Sequence, residues 1–499
     1  MAKKPNAEHH RPASNQLDKI EHLVVLMLEN RSFDQMLGFL YADNGNRSPL
    51  GHGFEGLTGQ EDNPDETGRK IKVFKIKADD DHCYLMPGAD PGEGFQNTNM
   101  QLFSTHDPAP GEKPGNKGFV MNFKAAIASD ISRGYKDTLP SAKPSDIMGM
   151  YTPDLLPVLS GLAKGFAVCD AWHSSVPTQT IPNRAFAAAA TSQGHLDNHV
   201  KTFTCPSVFG RLSDKKIDWT IYGYNRAPLT RMDFPDTLRA DPTHFGHFRD
   251  FQERAAKGTL AAYSFLEPSW SAAGNSQHPN YDVAAGEALI LDTYRALRDG
   301  PKWNATLLII TYDEHGGNYD HVPPPSDAVA PGDGSLTESG IDFDFTRFGV
   351  RVPAVLISPL IEAGTVYRGT GRIDHTSILK TICERWKTEP LTKRDKAAAS
   401  LGDVLTLSVP RKDDPMKGVL PPQLTAQHPS APNPSKVDLL HAAKVAALPI
   451  RNEQGYAEET EPDLSTSASI GNFVRDRMAA WDSHLTRRRA RHNRAGRVS

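Results

Sequence analysis

The sequence predicts an α/β fold in which helices cover both faces of a mostly parallel central sheet. Three observations carry this. Unbroken apolar runs rich in Val, Leu and Ile recur at 22–28 (HLVVLML), 165–169, 305–311 and 352–357. Helical patterns lie between and beyond them, at 182–192, 282–298 and 374–386. Polar clusters follow three of the apolar runs. A run without polar alternation suits a strand buried on both faces, as in a parallel sheet. Strands alternating with helices place those helices over the sheet.

At 499 residues the chain can bury a large core. Hydrophobic residues make up 38% and charged residues 23%, which fits a globular enzyme. The predicted organisation is a disordered N-terminus (1–19), one large domain (20–402), a Pro-rich wrap with a helical C-terminal region (403–486) and a basic tail (487–499). Residues 43–146 are polar and rich in Gly and Pro, a composition suited to the walls or lid of a site. The formal charge of −4 is small and points to no nucleic-acid partner. The arginines at 487, 488, 489, 491, 494 and 497 could give a peripheral contact with anionic lipid, or form a frayed, solvated terminus. Cys83, Cys169, Cys205 and Cys383 show no C-x-x-C spacing and read as free thiols. No apolar run is long enough to span a bilayer, and no apolar segment follows the basic N-terminus. A cytoplasmic location is expected, with export by a leaderless route still open.

In open α/β sheets, ligands bind beyond the carboxyl ends of the strands. The first run ends at Glu29-Asn30, a carboxylate and an amide oxygen that can face a cation or merely form a turn. The 305–311 run delivers Asp313-Glu314, followed by His315 and Gly316-Gly317. Adjacent carboxylates repel, and a divalent cation relieves that cost; a salt-bridged loop is the alternative. Asp320 and His321 follow, placed to orient this loop or touch a substrate. In SSVPTQTIPNRAF, Pro182 suits the first position of a helix, with Thr180 at or just before its cap. Thr180 then either caps the helix or presents a hydroxyl where a helix start favours a phosphate. His278, in the loop before the 282–298 helix, and His106, His173, His244, His247 and His375 are candidates for acid–base work or are simply solvated.

Together these motifs resemble a phosphoesterase family that contains bacterial non-haemolytic phospholipases C, plant non-specific phospholipases C and a bacterial acid phosphatase. The resemblance spans roughly 20–390 and rests on ENRSFDQMLG (29–38), SVPTQTIPNR (175–184), GTLAAYSFLEP (258–268), TYDEHGGNYDHVPPP (311–325), FGVRVPAVLISP (348–359) and DHTSILKTI (374–382). It implies an alkaline-phosphatase-like α/β/α sandwich, with Thr180 rather than Thr178 as nucleophile. It implies one divalent metal on Glu29, Asn30, Thr180, Asp313 and Glu314, with Ca²⁺ or Zn²⁺ first and Mg²⁺ or Mn²⁺ also compatible. His278 becomes the proton donor to the leaving group. Another phosphate-contacting histidine of the family has no secure match here, and His247 is the candidate for it; Asn30 and His321 are the other expected substrate contacts. Asp374 and His375 become supporting or helix-capping residues. The implied activity is a phospholipase C acting on phospholipids through a phosphothreonine intermediate. A phosphomonoesterase on the same scaffold and a non-catalytic lipid-binding module are the alternatives.

The sequence also departs from the family, most clearly in an early block. Many members carry histidine in an early D-P-x-H block, where this chain has Asp90-Pro91-Gly92-Glu93. Three outcomes are open: the loop turns away, His82 or His106 substitutes, or Glu93 meets a cationic headgroup.

Overall fold

The computed structural model describes residues 16–134, 138–199, 202–224, 227–271, 273–279, 281–337, 341–423, 433–451 and 460–495. Eight strands form the main sheet: β1 (His22–Leu28), β2 (Ala167–Val168), β3 (Trp219–Gly223), β4 (Phe245–His247), β5 (Tyr263–Glu267), β6 (Thr306–Tyr312), β7 (Ala354–Ile357) and β8 (Thr365–Val366). Their order across the sheet is β8-β2-β7-β6-β1-β5-β3-β4. All neighbours pair in parallel except β7, which is antiparallel to both β6 and β2. The sheet is therefore mostly parallel, with one reversed strand.

The central strands follow from composition. All seven residues of β1 and all seven of β6 are buried. Successive side chains point to opposite faces, so unbroken burial means that both faces are covered. The four predicted apolar runs correspond to β1, β2, β6 and β7. β3, β4, β5 and β8 have no such run; β5 reads YSFLE, and its Tyr, Ser and Glu interrupt the apolar signal although all five residues are buried. Pro353 precedes β7 and delays its start, since proline cannot donate to a ladder.

Four helices bear on the site or on the C-terminal region: α1 (Phe33–Leu37), α2 (Thr180–Ala189), α3 (Val283–Arg298) and α4 (Thr376–Trp386). Asp282 caps α3 by accepting from Ala284 N at 2.8 Å and Ala285 N at 3.2 Å. Residues 43–146 are not merely wall. They carry the helices Phe95–Phe103 and Phe119–Arg133 and a satellite core of Leu57, Val73, Leu102, Phe119, Val120 and Phe123.

Past residue 402 the chain lies along the main body. Leu407 N donates to Leu360 O at 3.0 Å and Arg411 N to Pro359 O at 2.8 Å. Two helices follow, α5 (Lys436–Ala446) and α6 (Ser467–Ala495). Lys444 Nζ meets Asp233 Oδ1 at 2.5 Å, Arg231 pairs with Asp482, and Trp481 Nε1 donates to Leu238 O at 2.9 Å. The basic segment does not begin as a separate tail at 487: α6 runs through it to Ala495. Arg489 is held there by Asp241 Oδ2 at 3.0 Å and Arg239 O at 2.9 Å. Arg497 and the first 15 residues lie outside the described residues. Among those described, no helix is long and apolar enough to cross a membrane, and Cys83, Cys169, Cys205 and Cys383 are free thiols.

Ile309, fully buried at the centre of β6, gives a direct test of the core. Ile309→Ala should lower unfolding stability by about 2–5 kcal/mol, read as a lower urea midpoint with an unchanged slope.

Candidate active site

The parallel register pairs Leu28 with Tyr312, so Glu29 and Asp313 leave the sheet side by side. Asp313 N donates to Leu28 O at 3.2 Å, and Glu29 N donates to Ser276 O at 2.9 Å, which draws the 276–278 loop to the same edge. Asn30 then turns the chain sharply at φ 57°, a left-handed conformation that Asn tolerates better than most residues. Its N–H donates to Asp313 Oδ1 at 3.0 Å. Arg31, fully buried, fixes the neighbouring loop by donating to Gln277 O at 2.5 Å and His278 O at 3.0 Å. Ser32 caps α1, accepting from Gln35 N at 3.2 Å.

The helix α2 begins at Thr180, with Gln179 in the cap position. The sequence-based placement therefore shifts: Pro182 is third in the helix, not first. Proline fits there because the first four N–H groups of a helix have no intrahelical partner. The Thr180 hydroxyl does not cap the helix. It is buried and donates to Asn30 Oδ1 at 3.4 Å. One turn on, on the same face, Arg184 Nε donates to Asp313 Oδ2 at 2.9 Å, and Nη2 donates to Met27 O and Leu28 O. Asp313 is thereby aimed from both sides, because its own carbonyl accepts from His375 Nε2 at 2.6 Å. Trp172 Nε1 donates to His375 Nδ1 at 3.2 Å, which leaves the His375 proton on Nε2.

The carboxylates here are poorly solvated. Neither oxygen of Glu29 accepts a well-formed hydrogen bond, nor does Glu314 Oε1. Burial pushes the Glu29 carboxyl up to about 8 against the opposing pull of His278. Burial, with Glu93 and Asp313 alongside, holds Glu314 well above the carboxylate range. Burial also disfavours a charged His278, but Asp90, Glu29 and Glu93 outweigh it and raise its pKa. His278 Nδ1 lies 3.1 Å from Pro279 O, which leaves Nε2 facing the carboxylates, 4.0 Å from Glu93 Oε2. Oxygens buried without donors suit a hard or borderline cation, so the donor set fits a metal. The carboxylates of Glu29, Asp313 and Glu314 do not themselves make a tight trio. Among the described residues, the trios whose ligand atoms all lie within 4.8 Å are Asp90–Glu93–His278 and Asp34–Asp320–His321.

Comparison with known proteins bears on this arrangement. Residues 20–389 match the Phosphoesterase family. The chain is 36% identical to non-specific phospholipase C6 of Arabidopsis thaliana, covering 80% of this chain and 74% of that protein. It is 29% identical to phospholipase C A of Mycobacterium tuberculosis, covering 75% and 74%. The chain belongs to the phosphoesterase family. It is accordingly a phosphoric ester hydrolase. Among solved structures it overlaps a phosphonate monoester hydrolase of Agrobacterium radiobacter (13% identity, 50% of this chain and 72% of that one, TM-score 0.30). It also overlaps a protein of the alkaline phosphatase superfamily from Vibrio parahaemolyticus (13%, 46% and 60%, TM-score 0.29).

In this phosphoesterase, Glu29, Asn30, Thr180, His278, Asp313 and Glu314 converge at one sheet edge from segments far apart in sequence. Two residues read as substrate contacts stand elsewhere. His247 is exposed at the end of β4, on the outermost strand, where its backbone N–H meets Asp250 Oδ2 at 2.7 Å. His321 Nδ1 lies 2.7 Å from Asp34 Oδ2, and its Nε2 lies 3.6 Å from Glu55 Oε1. It belongs to a network in which Arg351 binds Asp34 Oδ1 at 2.9 Å and Asp320 Oδ1 at 3.0 Å, so a guanidinium already neutralises that trio. The Glu93 loop does not turn away. Glu93 is buried, with Oε2 2.6 Å from Asn30 Nδ2. His106 is occupied with Gln96 O, and no contact joins it or His82 to Glu93. Arg31, Gln179, Arg184 and Lys436 also escaped sequence reasoning. Arg184 and Gln179 lie inside a recognised motif and could have been weighed with it. Lys436 pairs with Asp90 across 346 residues, a contact with no local signal.

The Asp34–His321 pair has a pH signature. The carboxylate outweighs burial and raises the His321 pKa from 6.5 to about 9. A raised folded-state pKa gives stability that is fully present below 6.5 and is lost as pH rises through 9. The difference in melting temperature between wild type and His321→Gln should therefore shrink between pH 6.5 and 9.5, as followed by thermal denaturation at fixed ionic strength.

Proposed function

We propose that this phosphoesterase is a metal-dependent phospholipase C that cleaves phospholipids such as phosphatidylcholine to diacylglycerol and a phosphorylated headgroup. The observation that carries the reading is the buried Thr180 hydroxyl at a helix start, facing Asn30 and grouped with carboxylates whose oxygens lack donors. The phospholipases C among its relatives support the lipid substrate.

A divalent cation held by Glu29, Asn30, Thr180, Asp313 and Glu314 would favour the deprotonated hydroxyl and offset phosphate charge. Ca²⁺ or Zn²⁺ suits this set first, and Mg²⁺ or Mn²⁺ also fits oxygen donors. Thr180 Oγ1 attacks phosphorus as the bond to the diacylglycerol oxygen breaks. His278, with its raised pKa and free Nε2, gives its proton to that leaving oxygen. The phosphothreonine is then hydrolysed. Water adds to phosphorus and the bond to Thr180 breaks, while neutral His278 recovers a proton from the water. The start of α2 contributes its dipole and its unpaired N–H groups toward the phosphate oxygens. Arg184 and His375 keep Asp313 in place throughout. Contact with the bilayer is taken to be peripheral, and location in the cytoplasm remains part of the proposal.

The test is parallel hydrolysis of phosphatidylcholine vesicles and p-nitrophenyl phosphate, with and without chelator. Release of phosphocholine above monoester cleavage, abolished by chelator, is expected; monoester cleavage alone would make the protein a phosphatase. Thr180→Ala should reduce kcat by roughly 10³-fold or more with the fold intact. Asp313→Asn should lower bound metal per chain, measured by inductively coupled plasma mass spectrometry. Full occupancy in that variant would remove Asp313 from the ligand set.

A further inference from the structure

Glu93 is buried beside Asn30, and the mechanism above gives it no task at the Thr180 hydroxyl. Its surroundings do. Glu93 Oε2 accepts from Asn30 Nδ2 at 2.6 Å, and Glu93 Oε1 accepts from Gln179 Nε2 at 3.3 Å. Asn30 and Gln179 are the residues on either side of the Thr180 hydroxyl. One accepts its hydrogen bond and the other precedes it in the chain. A carboxylate only accepts, so it selects the NH₂ end of each carboxamide. Asn30 must then turn Oδ1 toward Thr180, as observed at 3.4 Å. Gln179 must turn Oε1 away, and it accepts there from Asn198 N at 3.0 Å. Asn198 in turn accepts from Ile181 N at 2.8 Å, within the first turn of α2.

The loop carrying Glu93 is held in place from three directions. Gln101 Nε2 donates to Gly92 O at 2.6 Å, while its Oε1 lies 2.7 Å from His315 Nε2. Lys436, from α5, pairs with Asp90. Gly317, at φ 68°, allows the approach: a Cβ there would stand 2.6 Å from both Gly92 O and Pro91 Cβ. So much support for one short loop argues for a side chain whose position matters.

We infer that Glu93 is a positioning residue for the phosphoryl transfer, orienting the carboxamides of Asn30 and Gln179 so that the Thr180 hydroxyl is held toward Asn30 Oδ1. The inference rests on the reading of Thr180 as nucleophile. What it requires above all of residue 93 is an acceptor at full reach of Asn30 Nδ2, since Asn30 is the residue that receives the Thr180 hydroxyl, more than a negative charge.

Two conservative variants separate those needs. Glu93→Gln keeps the reach and an acceptor for Asn30 Nδ2 but loses the charge and the acceptor for Gln179 Nε2; Glu93→Asp keeps the charge and loses a methylene of reach. Steady-state kinetics on p-nitrophenyl phosphate and on phosphatidylcholine vesicles, with melting curves for each protein, give the readout. Glu93→Asp should lose kcat by about 10²-fold, the scale of a misplaced reacting group, with KM nearly unchanged. Glu93→Gln should stay within about 10-fold of wild type. The reverse order, equal losses, wild-type rates in both, or a loss carried by KM would each overturn the assignment. Thr180→Ala in the same assay separates the two ideas: an active wild type and a silent Thr180→Ala leave the nucleophile intact whichever way Glu93 falls.

Discussion

Glu29, Asp90, Glu93, Asp313 and Glu314 are all buried at one edge of the sheet, and keeping these carboxylates there is the constraint around which the surroundings are built. Ionised groups out of water are costly unless paired or hydrogen-bonded. The chain answers with few cations. Arg184 serves Asp313 and Lys436 serves Asp90, while His278 lies among the carboxylates of Glu29, Asp90 and Glu93. Backbone N–H groups do the rest, such as those of Asn30 and Glu314 on Asp313 Oδ1 and of Gly316 on Glu314 Oε2. Glu29 remains without any such donor. An enzyme that holds a cation and a phosphate together, as proposed for this one, has reason to leave such oxygens without donors.

Geometry follows from the same demand. Two loops, after β1 and after β6, must run close together for their side chains to converge. Asn30 adopts a left-handed conformation to do this. Gly316, at φ 59°, passes so near that a Cβ would stand 2.1 Å from Asn30 O. Glycine is the residue that allows both the dihedral and the contact. The strands themselves stay regular, and the left-handed residues Asn30 and Gly316 stand just past the ends of β1 and β6.

A second buried network anchors the far end of the β6 loop. Arg351 binds Asp34 and Asp320, and also donates to Glu55 O and Asp170 O at 2.9 Å each. It joins α1, the 313–321 loop and the early polar segment at one guanidinium. The planar fork of arginine suits this, since a lysine could not reach four acceptors in fixed directions. His321 completes this network, so its role is set by Asp34 rather than by the Thr180 site.

Composition and pattern alone were enough for the class of fold, the central strands β1 and β6, the helices α3 and α4, and the two places where carboxylates leave the sheet. These are local properties: an apolar run of that length has no polar face to leave in water, so its sequence alone calls for cover on both sides. The short strands β3, β4, β5 and β8 were not legible: β3 and β5 are buried despite polar or aromatic interruptions, and β4 and β8 are two- or three-residue edge segments that are only partly buried or exposed. Motif resemblance named Thr180, Glu29, Asn30, His278, Asp313 and Glu314, but their convergence is a matter of parallel register, which pairs residues nearly three hundred positions apart. The roles of Glu93, Arg31 and Lys436, and the separation of His247 and His321 from the site, belong to tertiary structure alone. Hydrogen bonds and ion pairs depend on distances of a few ångströms between segments, and no local pattern in the chain encodes those distances.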